Sequence, residues 1–92
     1  MELQRILTLT EKAASSYTKY IHKYQLDWEG KEVSIAHETL GALTIFCHQL
    51  KQFIENKDSL DEKSLILLNN YSNKVENYSQ GILNSLDDFI KK

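Results

Sequence analysis

The sequence predicts an all-α fold, a three-helix and mainly antiparallel bundle that dimerisation would complete into a four-helix or larger one. Three observations carry that expectation. Proline is absent and glycine occurs only at positions 30, 41 and 81, so the chain encodes few of the breaks and tight turns that several short strands need. Apolar residues recur at helical spacing along three long segments, about residues 2–26, 31–56 and 60–90. A chain of 92 residues makes a single domain with a thin core, which a further packed helix or a second copy would stabilise.

Segment one carries Leu3, Leu7, Ala14, Tyr17, Ile21 and Tyr24 on one helical face. Tyr17, Tyr20 and Tyr24 make that face aromatic. A phenolic hydroxyl needs water or a partner, so the stripe suits a rim or an interface better than a deep core. Asp27-Trp28-Glu29-Gly30 is the first break, where Gly30 can take the left-handed conformation that closes a helix. In segment two, Val33, Ala36, Leu40, Leu43, Cys47, Leu50 and Ile54 alternate steps of 3 and 4, an unbroken heptad seam. Ile35, Ala42, Phe46 and Phe53 add a second strip beside it, which predicts that segment two is the central helix. Glu55 to Ser59 is the second break, and Asp58 or Ser59 is a candidate N-cap, with Glu62 placed for a capping box with Ser59. In segment three Leu68, Tyr71, Val75, Tyr78, Ile82 and Phe89 keep the pattern, with Leu86 alongside. An unbroken helix there would be roughly 45 Å long, with Lys91 and Lys92 favourable at its C-terminal dipole. Segments two and three then form a long helical hairpin, with segment one packed across it or swapped onto a second chain.

Charge and composition narrow the function classes. Thirteen acids against eleven bases leave a net charge of −2, so no basic excess is available to neutralise phosphates and no nucleic-acid partner is expected. No 18-residue apolar run is present, which argues against a membrane span. Glu2 and Lys12 do not fit a secretory signal peptide, so the expected location is cytoplasmic, with leaderless secretion left open. A lone cysteine, Cys47, forms no internal disulfide and suits a reducing compartment. The Asn-Tyr-Ser tripeptides at residues 70 and 77 read as helix surface. His22, His37 and His48 contain no pair spaced i, i+4, and Cys47 and His48, as neighbours on a helix, diverge by about 100°. Neither a metal, nor another cofactor, nor a catalytic cluster is therefore expected.

The stretch from Val33 to Phe46 is the richest in polar detail. Its His37-Glu38 pair, followed after a short interval by Leu43-Thr44, resembles the phospho-accepting histidine box of the dimerisation domain of sensor histidine kinases. The likeness extends as helical pattern from Gly30 to Phe89. It implies a dimeric four-helix bundle with phosphate accepted on His37, Glu38 orienting the ring and Thr44 nearby. Gly41 and Ala42 stand where that family carries Thr or Asn and then Pro, so neither its dephosphorylation side chain nor its helix bend is encoded. No glycine-rich phosphate loop occurs in the chain, so phosphate would have to arrive in trans. The bland reading of His37 is an ordinary residue at the edge of the apolar face. A second resemblance lies in Trp28-Glu29-Gly30, which is similar to the Trp-x-Gly turn of WXG100 proteins, small helical hairpins of type VII secretion. That family's trailing Tyr-x-x-x-acid signal is missing here, since Val75 follows Tyr71 and Ile82 follows Tyr78 at that spacing.

Tyrosine and tryptophan dominate interface energetics. The sequence thus points first to a non-enzymatic protein–protein interaction module, a regulator or inhibitor of a larger, unidentified partner, using Tyr17, Tyr20, Tyr24 and Trp28. A histidine-phosphotransfer module and a small WXG100-like or toxin-neutralising protein are the alternatives, and homodimerisation is compatible with each.

Overall fold

The computed structural model describes residues 3–90, which form three long helices and one short one: α1, Leu3–Tyr24; α2, Gly30–Asn56; α3, Glu62–Ser85; and α4, Asp87–Ile90. No strand occurs among them. The expected all-α three-helix bundle is the fold. Glu2, Lys91 and Lys92, named above for the start of segment one, its charge and the C-terminal dipole, lie outside the described residues.

Leu3, Ile6 and Leu7 of α1 cluster with Leu50 near the end of α2 and with Leu68 and Val75 in the first four turns of α3. Farther along, Ala13 meets Leu43 and Leu83. Helices α1 and α3 therefore run parallel, with α2 antiparallel to both. The central helix is α1, not α2 as the heptad seam suggested. The backbone of α1 closely approaches those of both other helices, whereas α2 and α3 approach each other little. The reason lies in side-chain size. Along the α1–α3 seam Thr10, Ala13, Ser72, Val75 and Ser79 are all buried and small. Between α2 and α3, aromatic rings stand as spacers: Phe46 lies 6.0 Å from Tyr71 and 5.5 Å from Tyr78, and Phe53 lies 5.8 Å from Tyr71, each edge-on. Segment one packs within its own chain, as the middle layer rather than as an outer layer across a hairpin.

The buried hydroxyls of the seam are satisfied. Ser79 Oγ donates to Thr10 Oγ1 at 3.0 Å, and Thr10 Oγ1 donates to the Ile6 carbonyl at 2.8 Å. Ser72 Oγ donates to the Leu68 carbonyl at 2.8 Å. A hydroxyl that bonds back one turn can be buried without an orphaned donor, which is how serine and threonine serve as small spacers here. At the surface, Arg5 pairs with Glu76 across α1 and α3, and Lys51 lies 3.9 Å from Glu11; pairs this exposed contribute little.

The helix ends correct several expectations. Helix α1 does not close on a left-handed Gly30, because no glycine has positive φ and Gly30 is the first residue of α2. Instead the chain tightens into a 3₁₀ turn, Gln25–Asp27, and Trp28 turns extended with its N–H on the Gln25 carbonyl at 3.2 Å. Neither Asp58 nor Ser59 caps α3, since both lie in a second 3₁₀ turn, Lys57–Ser59. The cap is Asp61, whose Oδ1 accepts from the Ser64 N–H at 2.7 Å; that bond holds its carboxyl below the ordinary range. Segment three is not one helix of 31 residues. It breaks at Leu86, whose N–H bonds the Ile82 and Leu83 carbonyls, and Ser85 Oγ donates to the Ile82 carbonyl. Leu86 itself is buried, and Phe89 of α4 packs edge-on against Tyr20 at that end of the bundle.

Gly41 and Gly81 sit mid-helix and exposed, with no positive φ, and an added Cβ would meet nothing within 4 Å at either. Each therefore costs helix stability with no packing gain. Gly41→Ala and Gly81→Ala are each expected to stabilise the fold by about 0.5–1 kcal/mol, raising the melting temperature by several degrees. Thermal melts of the two single variants check this, and a fall in either would show that its glycine is needed for close approach.

Candidate functional site

The predicted interface residues come together at one end of the bundle. Tyr17, Tyr20 and Tyr24 stand at i, i+3 and i+7 on α1, the link to α2 supplies Trp28, and α4 supplies Phe89. Tyr20 is the hub, with ring centroids 6.0 Å from Tyr17, 4.9 Å from Tyr24, 5.6 Å from Trp28 and 5.6 Å from Phe89. All the pairs are tilted or edge-on, the arrangements the ring quadrupoles favour, each contributing about 0.5–1.5 kcal/mol beyond burial. Lys23 Nζ sits 5.5 Å from the centroids of both Tyr24 and Phe89. The five rings are half-buried. They plug the bundle end and stay partly open to solvent.

Beside this cluster a notch of about 230 Å³ opens between α1 and the start of α2. Tyr17, Tyr20, Trp28, Ile35, Ala36 and the carboxylate side chain of Glu32 line it. Glu32 lies in the first turn of α2, where the helix dipole favours a negative charge. Among the described residues no cation pairs with it.

The histidine-box residues lie elsewhere. His37, Glu38 and Thr44 are exposed on α2, and among the described residues no hydrogen bond or ion pair joins His37 to Glu38. The Thr44 hydroxyl donates to the Leu40 carbonyl at 2.9 Å. Cys47 is half-buried in the core seam, and its thiol is pushed up by burial and by the nearby Glu11 carboxylate. No group of three or more His, Cys, Asp or Glu able to hold a metal occurs among the described residues. No helix among them is long and apolar enough to cross a membrane.

A second surface went unnoticed in the sequence. Where the aromatic spacers hold α2 and α3 apart lies an apolar groove of about 420 Å³, lined by Phe53, Leu60, Ser64, Leu67, Leu68 and Tyr71. Burial among these side chains pushes the Tyr71 phenol up. Next to the groove, Leu65, Ile66 and Leu67 are all exposed, Ile66 at 59% and Leu67 at 63%. The signal was available: four consecutive apolar residues, 65–68, cannot share one helical face, and only Leu68 reaches the core.

With the geometry in place, the chain was compared with known proteins: no family model, no curated protein and no solved structure matches it.

Proposed function

We propose that this chain is a non-enzymatic helical interaction module that binds a larger protein partner as its regulator or inhibitor. The observation that carries the reading is the exposed run Leu65-Ile66-Leu67 beside the open α2–α3 groove. Contiguous apolar surface of this kind costs solubility unless something covers it, and a groove between two helices accepts the apolar face of another helix. At the far end, Tyr17, Tyr20, Tyr24 and Trp28 add residue types that anchor interfaces.

The test is capture from the native cell extract on the immobilised chain, beside a Leu67→Asp variant. Leu67 is exposed, so the substitution leaves helicity and thermal stability near those of the parent. A specific protein retained by the parent and lost from the variant is the expected result. The same proteins on both, or none above background, would remove the groove as the interaction surface.

A further inference from the structure

We propose that the notch at the start of α2 is a cation cage that receives a lysine or arginine side chain of the protein partner. The inference rests on the interaction reading above but concerns a different surface. Tyr17, Tyr20 and Trp28 form aromatic walls, Ile35 and Ala36 form an apolar wall, and Glu32 places a carboxylate at the same opening. Aromatic faces attract ammonium and guanidinium groups through their quadrupoles, and a carboxylate adds a charge-assisted hydrogen bond. The same ring cluster already holds one cation: Lys23 lies over Tyr24 and Phe89, on other rings than those lining the notch. Asp27, Glu29 and Glu32 against Lys31 make the segment around the opening acidic. The volume of about 230 Å³ is small for a drug-sized ligand and adequate for the head of one long side chain. Its half-buried walls face solvent, as suits a group presented by another macromolecule.

Trp28 is the only tryptophan in the chain and forms one wall, so emission excited selectively at the indole reports on this end of the bundle and not on the distant Tyr71 and Tyr78. The probes are N-acetyl-arginine amide and N-acetyl-lysine amide, with N-acetyl-citrulline amide as the neutral counterpart of arginine and tetramethylammonium as a free cation. A saturable change in Trp28 emission at millimolar arginine or lysine amide, absent with citrulline amide, is expected. Glu32→Gln, an exposed substitution that leaves the core intact, should weaken that binding about three- to fivefold, the upper contribution of an exposed ion pair. Lys23→Gln, outside the notch, should leave it unchanged. An equal response to arginine and citrulline amides, or one indifferent to Glu32→Gln, would overturn the cage. Binding of tetramethylammonium alone would overturn the side-chain assignment and mark a site for a free cation. None of these readings needs the partner, so loss of the cage and failure of the capture experiment remain separate results.

Discussion

Leu50→Ala is expected to lower the unfolding free energy by about 3 kcal/mol. Leu50 is fully buried at the level where all three long helices meet, among Leu3, Ile6, Leu7, Leu68 and Val75. Truncation removes its transfer energy and leaves a cavity that helices fixed on three sides cannot close. A domain of this size has a total stability of about 5–14 kcal/mol, so one methylene-rich side chain accounts for a large part of it. The melting temperature should fall by about 10–20 °C. Ile45→Ala is the internal control. It deletes a comparable side chain from the same helix, but Ile45 is 59% exposed, and its loss should shift stability by about 0.5 kcal/mol or less. Urea unfolding of both variants decides the matter. Equal losses would mean that α2 buries a different face from the one described.

The contrast between those two positions shows how much of the fold could be read in advance. Ala36, Leu43 and Leu50, every seventh residue of the heptad seam, are the buried residues of α2, and Val33, Leu40, Cys47 and Ile54 flank them half-buried. Periodicity fixes which face of a helix goes inward. It does not fix which helix lies in the middle, because that depends on how closely two backbones can approach. Thr10, Ser72 and Ser79 look like surface residues in a polarity pattern, yet all three are fully buried. Their hydroxyls are satisfied by back-bonding or by each other, a property of the folded geometry rather than of the string. The caps failed for a related reason. A 3₁₀ turn at each link moved the helix starts by a residue or two, so Asp61 and not Ser59 met the free N–H groups. Of the candidate site residues, Tyr17, Tyr20, Tyr24 and Trp28 are legible as one aromatic surface, because their spacing puts them on one face and at one end. Glu32 is not, since nothing in an isolated carboxylate marks it as facing three rings contributed from across a turn. Phe89 is legible as part of the apolar face of segment three, but its contact with Tyr20 and Tyr24 follows from α1 and α3 running parallel, which periodicity does not show.

The place of α1 between its neighbours can be tested at Ser79. If α2 and α3 formed the main hairpin with α1 outside it, Ser79 would be a surface residue and Ser79→Leu would be harmless or mildly favourable through helix propensity. In the structure Ser79 is fully buried where α3 runs closely along α1, with its hydroxyl on Thr10. Leucine there has no room and must push two packed helices apart, so a loss of about 3 kcal/mol is expected, at the upper end of ordinary overpacking, with the hydrogen bond lost as well. Two milder variants separate volume from hydrogen bonding. Ser79→Ala removes only the donor, while Thr10 keeps its own bond to the Ile6 carbonyl, so the cost should be about 0.5–1.5 kcal/mol. Thr10→Val keeps the shape and removes the acceptor, and Ser79 can then turn its hydroxyl to the carbonyl one turn back, as Ser72 does, at a similarly small cost. Steeply graded unfolding energies, with leucine far below alanine and valine, follow from a tight α1–α3 seam. A Ser79→Leu protein as stable as its parent would put α1 on the outside and dismantle the helix order described here.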